Sequence, residues 1–428
     1  MTHKHWSVSI LVMLSMLATV FAMPAFVSGE ATVAEWTVMV YLDGDNNLDP
    51  DAVSDLAEMQ MVGSTDKVNV IVLVDRYSEP AYLYKITLGG VSMLDGLIVN
   101  GTDVNGQEIS MADVRVLDAF VDYSKAEFPA NHYILDLWDH GNAFGYACWD
   151  DHASPEWQTD AAALSLSDVI GSLQDSGGVD ILTYDGCTIG MVEIAYQLAL
   201  VQKNLGVNVN YLVASEEYIP NSGYAYDNLL AEMNSMEDIS PAAVAMMMAD
   251  EYAETYSPHG QAKGSSTVGL SVIDLPKILP IAAVIDSLTE LLKQDLASDF
   301  GKAHDLIAKA RGAGNLGWSL NGWDDRIDFG MFLKTLAEIS TDPEVQSLAD
   351  EAFGIITDAV YAANTPALGS QGAYGLGTWF PGSSRSLGNA NTGGGFDVIA
   401  EYADAFAYSD DAGWLSFLNA FWGKGPKK

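Results

Sequence analysis

An α/β fold with a mostly parallel central sheet is predicted for the chain up to residue 274, followed by a largely helical part. Three observations predict it. Short apolar runs without helical period alternate with segments whose apolar positions recur at helical spacing. The runs are rich in Val, Ile and Leu throughout, as in strands covered on both faces. From residue 275 onward helical periods dominate. Alternation of this kind places helices on both faces of a parallel sheet.

The elements follow in order. Residues 36–42 form the first strand-like run, a polar turn follows, and residues 48–61 suit a helix. Residues 68–74 read as a strand, 111–128 as a helix and 132–138 as a strand. Residues 180–184 form the next strand, 191–201 a helix, and 211–214 and 267–273 two further buried strands. The later part gives helical segments at 278–296, 327–339 and 345–363, Gly- and Trp-rich loops, and one strand-like piece at 374–380. No Pro/Ser-rich linker separates the halves, so residues 275–428 are expected to pack on a core of residues 30–274.

Residues 1–29 have the order of an export signal: His3, Lys4 and His5, an apolar run over 8–27, then Ser28 and Gly29. A secreted or cell-surface protein is expected, anchored in a membrane only if the leader stays uncleaved. The remaining composition narrows the function classes. Of 428 residues, 19 are Lys or Arg and 58 are Asp or Glu, a net charge of −39 that repels nucleic acid and anionic lipid. Cationic partners are favoured, although a soluble surface in a saline medium accounts equally for the acidity. Two cysteines, Cys148 and Cys187, allow at most one disulfide and no four-cysteine zinc site.

In a parallel sheet reactive groups gather beyond the carboxyl ends of the strands. One such exit carries Asp139-His140-Gly141 and the next carries Asp185-Gly186-Cys187. An imidazole and a thiol at neighbouring exits are the minimum for acyl transfer: thiolate attack, an oxyanion held by the Gly141 and Cys187 amides, and His140 protonating the leaving amine. A nearby imidazolium and the start of the following helix are expected to lower the Cys187 pKa. A free cysteine is more often a small core residue, and it is the pairing of exits that favours chemistry. Among the other histidines of the mature chain, His132 begins a strand at the far end of the sheet, while His152, His259 and His304 read as solvated. Cys148 reads as a packing residue, with a disulfide to Cys187 as a lesser alternative. The run Asp43-Gly-Asp45-Asn-Asn47-Leu-Asp49 begins like an EF-hand, but Leu48 and Ser54 stand where its glycine and bidentate glutamate belong. A strand-exit turn capping a helix fits it better.

Together, Trp36 to Leu48, Leu137-Trp-Asp-His-Gly141, Tyr184-Asp-Gly-Cys187 with Gly190 and Met191, Ala214-Ser-Glu-Glu217, Ile327-Asp-Phe-Gly-Met-Phe332 and Tyr374-Gly-Leu-Gly-Thr-Trp-Phe-Pro381 resemble the clostripain family of cysteine peptidases. That clan also includes legumain and gingipain. The resemblance implies a caspase-like three-layer α/β/α sandwich with a helical C-terminal extension, His140 and Cys187 as the catalytic pair, and hydrolysis of protein or peptide substrates after Arg or Lys. It places Asp185, with Ser215 and Glu217, in the pocket for the basic side chain. For Asp185 and Glu217 a helix cap and a solvated loop carboxylate are the ordinary alternatives. The chemistry requires no cofactor; the resemblance leaves calcium open without locating it.

The chain departs from the family where Asp185-Gly-Cys-Thr-Ile-Gly190 replaces Asp-Ala-Cys-Leu-Met-Gly, and where Asn142-Ala-Phe144 follows His140-Gly. No Lys or Arg lies between Lys125 and Lys203, so a single-chain enzyme, or one matured by another protease, is expected. Two other readings stay open: a transpeptidase or ligase using the same pair, and a catalytically silent binding protein keeping the fold.

Overall fold

The computed structural model describes residues 33–159, 161–262, 267–316, 326–383 and 398–423. The expected export signal, residues 1–29, lies outside them.

The strands are β1 (Ala34–Gly44), β2 (Val68–Arg76), β3 (Glu79–Thr87), β4 (Gly90–Met93), β5 (Ile98–Val99), β6 (Thr102–Asp103), β7 (Ala130–Trp138), β8 (Ile181–Asp185), β9 (Tyr211–Ala214), β10 (Gly269–Asp274), β11 (Arg326–Asp328), β12 (Val360–Asn364) and β13 (Gly377–Trp379). Nine of them form one sheet, in the order β12-β10-β9-β8-β7-β1-β2-β3-β4. The pairs from β2 through β1, β7 and β8 to β9 are parallel. Antiparallel strands extend both sides of this centre.

Alternation along β1 shows how the layers form. Met39 and Tyr41 face one core; Trp36, Val38, Val40 and Leu42 face the other. On the second face lie α1 (Asp49–Val62), through Ala52 and Met59, together with the helices containing Leu229 and Val244. On the first lie α2 (Val114–Glu127), α3 (Leu166–Ser176) and α4 (Val192–Leu205), through Leu117, Val169 and Ile194. Complete burial of each such Val, Leu or Ile is worth about 1.5–3 kcal/mol, so two dry faces supply most of the driving force. The result is the expected caspase-like α/β/α sandwich.

The helical second half joins the first core through Ile285, Ile307, Phe332 and Ala349, and from Val33 onward the chain is one compact unit. Three expected boundaries are corrected. The 278–296 segment is two helices, Leu275–Ile278 and Ile281–Ser298, because Pro280 lacks the amide that would join them. The 327–339 segment enters as strand β11 before helix Phe329–Ile339, whose first turn is capped by Asp328 accepting from Met331 N at 2.6 Å. The 345–363 segment leaves its helix at Ala359, and β12 then pairs antiparallel with β10. Strands β3 and β4 escaped the sequence reading because their faces are only half buried.

Candidate active site

Strands β7 and β8 are adjacent and parallel, with Trp138 opposite Asp185, so both exits leave the sheet side by side. Gly141 makes the close approach that joins them. A Cβ there would stand 2.6 Å from the Cys187 carbonyl oxygen and 3.0 Å from its amide nitrogen, which only glycine avoids. His140 and Cys187 thereby line one cavity of about 60 Å³, with Leu48, Trp138, Asp139, Asp185 and Gly186 and a rim from Ile219 to Gly223. Neither the Gly141 nor the Cys187 amide donates a hydrogen bond within the described residues.

Behind the imidazole is a residue that the sequence reading did not single out. His140 Nε2 lies 3.0 Å from Asn47 Oδ1, in the turn between β1 and α1. Donation from Nε2 to this carboxamide oxygen leaves the Nδ1 lone pair for the cavity side. Its neighbour Asn46 donates to Asp139 Oδ1 at 2.8 Å and to the Trp149 carbonyl at 2.9 Å, and Asp139 also accepts from the Trp149 amide. The only sequence signal for this was the polar turn rejected as an EF-hand.

The expected lowering of the Cys187 pKa is corrected. Burial pushes the thiol up, Arg326 opposes this, and Asp185 and Asp139 add to it. Helix α4 begins only at Val192, after a turn in which Thr188 adopts φ 62°, so its amide terminus does not lie directly at the sulfur. Burial also pushes the His140 imidazole down, partly opposed by Asp151. Both shifts favour the uncharged forms, thiol and neutral imidazole. Cys187 and Cys148 both stand as free thiols, and Cys148 is buried, so the disulfide alternative falls.

Asp185 is buried and lines the cavity. Its Oδ2 accepts from the Tyr224 amide at 2.8 Å and the Tyr226 hydroxyl at 3.3 Å, and Gly223, at φ 51°, presses on it so closely that a Cβ would stand 2.4 Å from Oδ2. Asp136 accepts from Tyr226 Oη at 2.7 Å, and Asp55 from Trp138 Nε1 at 2.7 Å. No ion pair among the described residues neutralises these three carboxylates. Burial and mutual repulsion raise Asp185 well above the carboxylate range and push Asp55 to about 9; burial takes Asp136 to about 7.

Ser215 and Glu217, expected in the pocket, are not among the residues that line this cavity. Ser215 Oγ is used internally, donating to the Gly269 carbonyl at 2.8 Å and accepting from the Glu217 amide at 3.0 Å. Their backbone carbonyls hold the turn after the cysteine, receiving the Gly190 and Thr188 amides at 2.8 Å each. The Glu217 carboxyl is buried and pushed to about 9, despite the charge of Arg326.

His152 is exposed, as expected, and also pairs with a carboxylate. Its Nδ1 is 2.8 Å from Asp45 Oδ1 and its amide donates to Asp45 Oδ2 at 2.9 Å, a bond that raises the imidazole pKa. His132 sits at the far end of the sheet, 3.3 Å from Asp180, as expected.

Fold and cleft define a caspase-like α/β sandwich that presents a cysteine and a histidine from neighbouring strands. A sequence profile of the clostripain family, peptidase family C11, matches residues 40–327, and the chain belongs to that family of cysteine peptidases. Clostripain from Hathewaya histolytica is 28% identical over 322 residues, covering 65% of this chain and 59% of that protein. The chain thus spans less than two thirds of that relative's length. Two solved structures share the fold. One is a secreted C11 cysteine protease from Bacteroides thetaiotaomicron in complex with an irreversible peptide inhibitor (TM-score 0.61, 18% identity, covering 89% of this chain and 99% of that one). The other is an inactive zymogen C11 protease from Parabacteroides distasonis (TM-score 0.60, 18% identity, the same coverage). Among the described residues no helix is long and apolar enough to cross a membrane.

Proposed function

We propose that the mature chain is an exported cysteine endopeptidase that cuts after Arg or Lys, with Cys187 as nucleophile and His140 as its base and acid. The observation that carries this reading is one cavity holding the thiol, the imidazole and the unneutralised carboxyl of Asp185. From the uncharged pair, the Cys187 proton passes to His140 Nδ1 as sulfur bonds to the scissile carbonyl carbon. The carbonyl oxygen becomes an oxyanion facing the Gly141 and Cys187 amides. Collapse breaks the C–N bond, and the amine leaves with the proton from His140. Water, giving its proton to His140, then cleaves the thioester and restores the thiol.

A guanidinium or ammonium beside Asp185 supplies the positive charge that the carboxyl group there lacks. It stabilises the ionised form of Asp185, so binding a basic side chain and releasing a proton are coupled. The cavity has room for only a few waters, so a basic side chain has to part the rim at 219–223.

The test is a peptide-library digest by the purified mature protein, read by mass spectrometry beside Cys187→Ala. Cuts after Arg and Lys that vanish in the variant are expected. Intact peptides from both proteins would overturn the reading in favour of a silent binding protein, and joined peptides would make the product a ligation.

A further inference from the structure

At the β1–α1 turn, three side chains from distant parts of the sequence converge. Asp45, Glu108 and His152 each offer one ligand atom, and the three atoms lie within 4.8 Å of one another. Asp45 is buried, Glu108 is half-buried and His152 is exposed, so the group reaches solvent at His152. Its backbone is already fixed. The Asp151 amide donates to the Asp45 carbonyl at 2.8 Å, and the Ser154 amide to the Glu108 carbonyl at 3.1 Å.

A second observation concerns the interior behind this group. Asp75, at the end of β2, is fully buried; its Oδ1 accepts from the Arg76 amide at 3.0 Å, and its Oδ2 has no hydrogen-bond partner among the described residues. It lies within the electrostatic reach of Asp45, Glu108 and Asp150. Asp43, equally buried, keeps Oδ2 unpartnered in the same way. An orphaned buried carboxylate oxygen costs free energy unless a cation comes near it. The single cation paired with any of these carboxylates among the described residues is His152. Arg76, though next in sequence, turns outward to Asp49 at 2.7 Å.

We propose that Asp45, Glu108 and His152 form a binding site for one divalent first-row transition metal, with the unpartnered buried carboxyl of Asp75 nearby. An ion of this class takes nitrogen and oxygen ligands at about 2.0–2.2 Å, so side-chain shifts of about 1 Å bring all three onto it. The imidazole decides the class: calcium and magnesium take oxygen ligands, whereas zinc, copper and nickel accept imidazole nitrogen. Binding displaces any proton on the coordinating nitrogen and leaves the side that reaches solvent to water. Asp45 stands two residues before Asn47, which holds His140 Nε2, so an ion here fixes the turn that orients the imidazole.

The experiment uses the mature chain carrying Cys187→Ala, so that the catalytic thiol takes up no metal. Cobalt(II) is titrated and followed by its visible absorption, zinc is titrated calorimetrically, and calcium is added in excess as competitor. One equivalent of cobalt is expected to bind, to be displaced by zinc and to be retained under calcium. His152→Ala and Glu108→Gln, added singly, are each expected to weaken binding at least tenfold. Both side chains reach the surface, and unchanged thermal unfolding of the metal-free variants verifies their fold. Absent binding, binding that neither variant weakens, or displacement of cobalt by equimolar calcium each overturns the proposal. Metal uptake is read without activity, so its failure is separate from failure of the peptidase reading.

Discussion

Two groups of buried acids flank His140, and they are built differently. Around the cavity-lining Asp185, the carboxyls of Asp55, Asp136 and Asp185 meet an indole nitrogen, the Tyr226 hydroxyl and two backbone amides. Behind the histidine Asp43, Asp139 and Asp150 meet the amides of Asp45, Trp149 and Met111 and the carboxamide of Asn46. The first group opens into a cleft beside a thiol; the second reaches solvent at Glu108 and His152. Like charges so placed persist only as protonated acids or with a cation beside them. For the first group we propose a cation carried on a substrate side chain, for the second a bare ion.

The sharpest way to break this contrast is Asp185→Asn. It is expected to lower kcat/KM for arginyl amides about 10²–10³-fold while neutral substrates change a few-fold at most, because only the charged guanidinium loses its counter-ion. Equal losses for both substrates would make Asp185 structural, and the two acidic groups alike. A smaller effect belongs to the turn between the groups. Asn47→Ala is expected to lower kcat about tenfold with KM little changed, and Asn47→Asp, which keeps the acceptor, to retain kcat while moving the acid limb of the rate profile to higher pH. Three superimposable profiles would show that Asn47 does not orient His140.

The smallest effect is on stability. Asp55, Asp139, Asp136 and Asp150 are pushed to about 9, 8, 7 and 7, chiefly by burial, whereas unfolded carboxyls titrate near ~4. Between those limits the folded chain binds more protons than the unfolded one, so stability falls as pH rises. Metal-free protein is expected to melt about 5 °C lower at pH 8.5 than at pH 5, as measured by calorimetry. A flat or rising Tm would mean that these acids are already ionised in the folded protein at pH 5.

How much of this was legible in the sequence follows from what holds each part. The parallel centre was legible because strands dry on both faces must be apolar, and runs such as Val68 to Val74 announce this locally. His140 and Cys187 were legible because each sits where such a run ends, beside a glycine. Asn47 was not, since a polar residue in a turn looks the same whether or not an imidazole lies on it. Nor was the meeting of Asp45, Glu108 and His152, whose members lie on three loops that only the folded sheet brings together. The thiol's raised pKa depends on burial by the 219–223 rim and on the delayed start of α4, which local composition does not reveal. Likewise β12 continues a helical pattern and becomes a strand only because β10 offers an open edge.

That last strand ties the two halves of the chain together. The fifth parallel strand, β9, is flanked by β10, and β10 in turn by residues 360–364, which arrive after five further helices among the described residues. A polypeptide ending at Asp274 would carry the thiol and the imidazole yet present a raw row of amides and carbonyls, along with the bare apolar side from which Ile285 and Phe332 had been removed. The reactive centre is thus encoded early and secured late, so a ribosome must deliver nearly the whole message before the sheet can close.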